Sequence, residues 1–158
     1  VTNEGEPCGE DFSLVWAIAH TLKNRKKGTV VTNLSTTMAV DTVASEYSCD
    51  VVRTPVGDIN VSGKMRDIGA VIGGEGNGGV IIPDVQFGRD GVASIAYTLE
   101  FLAKENKSAQ EIHKSLPRYV NIKSTIDFPR ERVKELFTWL KSKEKTARVD
   151  EQDGLKFE

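Results

Sequence analysis

Between residues 8 and 28 the apolar positions recur at helical spacing: Phe12, Val15, Trp16, Ala19 and Leu22 share one face. Lys23, Arg25, Lys26 and Lys27 suit the C-terminal end of that helix, and Gly28 stops it. The β-branched run TVVTN (29–33) predicts a short buried strand. A second helix follows over STTMAVDTVASEY, with Thr36 or Thr37 as N-cap and Met38, Val40, Val43 and Ala44 turned inward. CDVVRT (49–54) predicts another strand, residues 58–69 a shorter helix ending at Gly69, and AVIGG (70–74) a third strand. GVIIPD (79–84) is extended and closes at Pro83. In the helix predicted over 90–106, Val92, Ile95, Ala96, Leu99 and Leu102 line one side, with Asp90 as its cap.

Strands alternating with helices predict an α/β fold with a mixed, mostly parallel four-stranded sheet between helices. The short link between the third and fourth strands makes that one pair antiparallel. Residues 108–117 read as a short helix with a capping box from Ser108 to Glu111. Beyond Pro117 the character changes. Residues 118–128 are strand-like, an amphipathic helix begins at Pro129 with Val133, Leu136, Phe137 and Leu140 on its apolar side, and LKFE closes the chain as a strand without a partner. The division expected is therefore an α/β domain over 1–117, then the truncated beginning of a second, α+β domain over 118–158. VTNEGEP, with no initiator Met, reads as the middle of a hairpin cut from a longer chain.

Composition changes this picture little. Of 158 residues, 39% are hydrophobic and 28% charged, with a net charge of −2, so no basic surface calls for nucleic acid or an anionic membrane. Cys8 and Cys49 are the only cysteines and lack metal-type spacing, which suits two free thiols in a reduced cytoplasmic protein. No apolar run approaches the roughly 20 residues that span a bilayer.

The chemistry concentrates in GGEGNGGVIIPD (73–84), where Gly74, Gly76 and Gly79 spell G-x-G-x-x-G. That spacing binds a dinucleotide only when the loop opens a helix and an acidic residue lies about 20 positions on at a strand end. Here the loop runs into Val80, Ile81 and Ile82, and the distant Glu100 falls inside a helix, so the nucleotide reading fails. Turn formation alone explains two or three of the glycines, but it leaves the enclosed Glu75 and Asn77 without a purpose. In open α/β sheets ligands sit at the carboxyl ends of the strands. Three polar loops fall there, offering Asn33, Ser35 and Thr36, then Gly57 and Asp58, then Glu75 and Asn77. A carboxylate that accepts adjacent hydroxyl donors, without a nucleophile–His–acid triad or metal cluster, suits polyol or sugar recognition.

With TPVGD upstream and FGRDG downstream, the GGEGNGG loop resembles the third domain of the α-D-phosphohexomutases, the phosphomannomutases, phosphoglucomutases and phosphoglucosamine mutases. NEGEPCGEDFSLVWAI is similar to the segment that follows the family's aspartate-rich metal loop. The likeness covers residues 1 to about 120 and continues more weakly into the start of the fourth domain. It implies an intramolecular phosphotransferase that interconverts hexose 1-phosphate and hexose 6-phosphate through a phosphoserine, Mg²⁺ and a hexose bisphosphate intermediate. It also implies that Glu75 and Asn77 meet the sugar hydroxyls and that Gly57 and Asp58 form a second contacting loop. Arg89, beside the Asp90 cap, is a further candidate to face the cleft.

Asn77 and Gly79 stand where many members carry Ser and His, a pattern similar to the archaeal-type branch. Neither a phosphoserine loop, nor an aspartate-rich loop, nor a phosphate-clamp loop occurs in these residues. The expected partners are thus a hexose phosphate and the remaining domains of a parent chain, with no catalytic residue or Mg²⁺ ligand here and no activity from the fragment alone. The alternative is a stand-alone, non-catalytic sugar-binding module. Glu75→Ala is expected to lower kcat/KM of the intact enzyme and leave the fold unchanged. His20 reads as structural or surface, His113 as solvated, and 23–27 as a solvated helix end.

Overall fold

The computed structural model describes residues 1–117, 119–120, 122 and 124–157. The chain forms two compact units, Val1–Tyr119 and Val120–Glu158. In the first, the elements in chain order are α1 (Phe12–Asn24), β1 (Val30–Asn33), α2 (Ala39–Glu46), β2 (Val51–Thr54), α3 (Asp58–Ile68), β3 (Ile72–Gly74), β4 (Val80–Ile81), α4 (Gly91–Glu105) and α5 (Ala109–Ser115). The sheet order is β2-β1-β3-β4. β1 runs parallel to both β2 and β3, pairing Val30 with Val51 and with Ile72, while β4 returns antiparallel with Gly73 opposite Ile81. This is the mixed, mostly parallel α/β sheet expected from the sequence.

Side-chain alternation along the strands separates two cores. Val30 and Ile72 join Leu14, Ile18, Val40 and Val43 of α1 and α2 on one face. Val31 and Ile81 join Val61 and Met65 of α3 on the other. Every residue of the central strand β1 is buried, so both faces of the sheet are covered.

The structure corrects several details. α2 begins at Ala39, whose N–H is taken by Thr37 Oγ1, so Met38 precedes the helix and is 45% exposed instead of facing inward. α4 is rotated from its expected phase. Its buried residues are Ser94, Tyr97 and Phe101, whereas Val92, Ile95 and Leu99 are 79%, 62% and 60% exposed. Ala96 is exposed too, and Leu102 alone of the expected face is half-buried. The cause lies on α1: Tyr97 and Phe101 flank the His20 ring, 5.4 and 5.7 Å away between centroids, and Glu100 pairs with Arg25 and His20. Two aromatic faces and an ion pair outweigh the aliphatic stripe in setting the helix rotation.

His20 is therefore fully buried, the structural alternative of the two expected. His113 is also buried rather than solvated, its ring set edge-on to Phe12 at 4.4 Å. Lys23 and Arg25 pair with Glu105 and Glu100 across to α4. Asp90 caps α4 by accepting from Ala93 N at 2.9 Å, and Ser108 and Glu111 complete the capping box of α5. VTNEGEP closes as a tight turn, with Thr2 N–H donating to the Glu6 carbonyl at 2.8 Å, and forms no hairpin strand.

The second unit carries a 3₁₀ turn at Arg130–Arg132, α6 (Val133–Lys143), β5 (Val149–Asp150) and β6 (Lys156–Phe157). The strand expected over 118–128 does not form among its described residues; Arg118, Asn121 and Lys123 of that stretch lie outside them. Val120, Ile122 and Ile126 are 80% or more exposed, and among the described residues no strand pairs with them. The closing strand, by contrast, has a partner: Phe157 pairs antiparallel with Val149 across a turn in which Gln152 N–H donates to Asp150 Oδ1. Val133, Leu136, Phe137 and Leu140 are the half-buried side of α6, as expected.

Candidate functional site

Because β1, β2 and β3 are parallel, their carboxyl ends deliver three loops to one edge of the sheet. These are 33–37, 55–58 and 75–79, and Glu75 is where they meet. Its residue is 5% exposed, and its Oε1 accepts from Asn33 Nδ2 at 2.9 Å and from the Gly57 N–H at 3.0 Å. The other oxygen, Oε2, lies 3.6 Å from Arg89 Nη1, and Arg89 Nε lies 3.5 Å from Asp58 Oδ2. Arg89 is placed by a bridge between its backbone and Ile81 of β4.

Local chemistry explains why the chain adopts this form. The turn 75–79 closes through Glu75 N–H to the Gly79 carbonyl at 2.9 Å and Gly78 N–H to the Glu75 carbonyl at 3.2 Å. Gly78 has φ +88°, a conformation that side chains with a Cβ rarely adopt. The remaining glycines supply room. A Cβ on Gly74 would lie 2.1 Å from the Gly79 carbonyl oxygen, and one on Gly76 would lie 2.3 Å from Asp11 Oδ1 and 3.1 Å from the Thr36 Cα. The chain continues into β4 and no helix follows, so the G-x-G-x-x-G spacing does not present a helix N-terminus to a phosphate.

The eight residues singled out from sequence occupy different depths. Asn33 and Thr36 are 2% and 5% exposed and lie under the surface, while Ser35, Asp58, Asn77 and Arg89 are exposed and Gly57 is half-buried. Asn77 turns back on its own loop, its Oδ1 accepting from Gly79 N–H at 3.2 Å. Glu75 is buried at the junction of the three loops, and its Oε1 ties the Asn33 and Gly57 loops to its own.

Sequence reasoning passed over Arg53. From β2 its guanidinium donates to the carbonyls of Asn33 and Thr36 at 3.0 and 2.9 Å, and to Thr37 at 3.3 Å, while pairing with Asp41. An arginine in a strand otherwise built for burial was the available signal. Thr32 was passed over too; its hydroxyl donates to the Gly74 carbonyl at 2.9 Å and fixes β3 where the turn leaves it.

The match to known proteins follows this architecture. Residues 10–119 match the family described as phosphoglucomutase/phosphomannomutase, alpha/beta/alpha domain III. The chain belongs to that family. Over 160 aligned residues it is 33% identical to a protein of Methanopyrus kandleri named probable phosphoglucosamine mutase, covering 100% of this chain and 35% of that one. Over 112 residues it is 38% identical to the phosphoglucosamine/phosphogalactosamine mutase of Sulfurisphaera tokodaii, covering 71% of this chain and 24% of the relative. A crystal structure of a phosphoglucomutase/phosphomannomutase family protein from Burkholderia thailandensis shares the fold, with TM-score 0.77 at 23% identity, over 100% of this chain and 34% of that one. The chain thus spans about a third of the length of these phosphohexomutase relatives, or less.

Among the described residues no group of three or more His, Cys, Asp or Glu gathers to hold a metal ion. The carboxylates nearest the site, Asp58 and Glu75, both face the Arg89 guanidinium. These residues do not fit a Mg²⁺ cage. Cys8 and Cys49 are free thiols, and no helix among the described residues is long and apolar enough to cross a membrane.

Proposed function

We propose that this chain is the sugar-reading part of a phosphohexomutase that interconverts hexose 1-phosphate and hexose 6-phosphate. The observation that carries the reading is the convergence of three strand-end loops on one oriented carboxylate. Glu75 Oε1 is committed to Asn33 and Gly57, which leaves Oε2, turned toward Arg89, as its second acceptor beside the exposed Asp58 and Arg89. Carboxylate oxygens accept from sugar hydroxyls, and each such charge-assisted bond contributes about 1.5–3 kcal/mol net. The guanidinium of Arg89, 42% exposed at its side chain, supplies donors to ring or hydroxyl oxygens beside them. Asn77 and Ser35 border the same edge.

In this reading the phosphoserine, the Mg²⁺ ligands and the phosphate clamp belong to other parts of a longer polypeptide, and the reaction passes through a hexose bisphosphate. The residues here bind and orient the sugar and perform no bond-breaking step, so the 158-residue chain alone has no mutase activity. A cytoplasmic setting suits its two free thiols.

The test is an NMR titration of the chain with mannose 1-phosphate, glucose 1-phosphate and NAD. Hexose phosphates should shift the amides of Gly57 and Gly76–Gly79, and NAD should not. Shifts from NAD alone, or turnover of hexose 1-phosphate by the isolated chain, would sink the proposal.

A further inference from the structure

Asn33 was singled out as a residue that touches the sugar, yet it is 2% exposed and both polar atoms of its side chain are hydrogen-bonded within the protein. Its Oδ1 accepts from Ser35 N at 3.1 Å, Ser35 Oγ at 3.0 Å and Thr36 Oγ1 at 2.8 Å. A backbone N–H can only donate, so the Ser35 amide fixes which end of the Asn33 side chain is oxygen. Nδ2 must then face Glu75, and it donates to Oε1 at 2.9 Å. Thr36 extends the chain of bonds by accepting from the Gly76 N–H at 3.0 Å. Below, Arg53 holds the Asn33 carbonyl at 3.0 Å, so the loop carrying this amide is tied from underneath.

We propose that Asn33 is a positioning residue of the sugar site: through its one-way amide it turns Glu75 Oε1 inward and presents Oε2 to the ligand. Two halves of a network meet at this side chain. The oxygen half runs Gly76 to Thr36 to Asn33, and the nitrogen half runs Asn33 to Glu75, which also takes the Gly57 N–H. Arg89 faces Glu75 Oε2 and itself pairs with Asp58, and Asp11 lies beside Gly76. The geometry is independent of which ligand binds; only the word sugar rests on the reading above.

Asn33→Asp separates the halves because it keeps the acceptor and replaces the donor with a second carboxylate. In the 158-residue chain at neutral pH, amide exchange of Gly57 should accelerate about tenfold or more, the factor that loss of one charge-assisted bond implies. Gly76 should stay protected. Asn33→Ala should loosen both amides. Glu75→Gln, which retains an Oε1 acceptor, should leave both protected. The proposal is overturned if Gly57 and Gly76 respond together in Asn33→Asp, if neither responds, or if Glu75→Gln loosens Gly57. Should Asn33→Asp fail to fold, the Glu75→Gln result alone decides. Adding mannose 1-phosphate to the native chain separates the two ideas. An intact network that gives no shifts rejects the sugar reading and leaves the positioning role standing.

Discussion

Replacing Glu75 by Ala tests whether the carboxylate is part of the fold. The change removes the acceptor of two donors at once. Asn33 Nδ2 is enclosed and would lose the Glu75 acceptor, at about 1–3 kcal/mol for a buried unsatisfied donor. Gly57 is half-buried, so water can partly replace the lost bond and its share is nearer ~1 kcal/mol. The Arg89 pair at 3.6 Å, with Arg89 42% exposed, adds little. Together the loss is about 3 kcal/mol, or roughly 10 °C in Tm for a unit of this size. Glu75→Gln keeps an oxygen for both donors and should lose no more than about 1 kcal/mol. Urea unfolding in a Trp139→Phe background isolates the signal of Trp16, which is 6% exposed in the first unit, from that of Trp139, which is 55% exposed in the second. An Ala variant within about 0.5 kcal/mol of the parent, or a Gln variant as damaged as the Ala one, would refute the reasoning.

The helix phase of α4 predicts that Leu99→Ala changes stability by less than about 0.5 kcal/mol while Phe101→Ala costs about 3–5 kcal/mol, read from the same unfolding curves. A Cβ at Gly74 meets backbone 2.1 Å away, so Gly74→Ala should destabilise by about 3 kcal/mol; Gly91, with open space and the first position of α4, should gain about 0.4–1 kcal/mol as Gly91→Ala. Acid should weaken the α1–α4 contact in two stages. Burial holds the folded His20 pKa below its ordinary 6.5, so the unfolded chain takes up the proton first and stability falls as the pH drops below about 6.5. Bonds from Arg25, then Lys104, hold Glu100 at about 2 instead of 4.5, so its contribution is present above 4.5 and is lost as the pH falls toward 2. Urea midpoints between pH 8 and 5 should decline in the parent and less so in His20→Gln; equal slopes would remove His20 from the account.

Alternation and helical spacing set out the element order, the one antiparallel strand pair, the cap at Asp90 and the capping box at Ser108, because these depend on residues within a few positions of one another. The same local logic located the strand-end loops, since parallel strands with helical crossovers bring their carboxyl ends to one edge. It could not rotate α4. Val92, Ile95 and Leu99 form a valid apolar stripe, and only the contact of His20 with Tyr97, Phe101 and Glu100 turns that stripe outward. Nor could it assign depth within the site. Asn33 and Ser35 are two positions apart and equally polar, yet one is enclosed and the other exposed. What decides between them is the approach of Arg53 and Glu75 from two other segments, which enclose Asn33. A polar residue's role depends on which donors and acceptors reach it in space, and sequence distances of 20 to 42 residues carry no record of that.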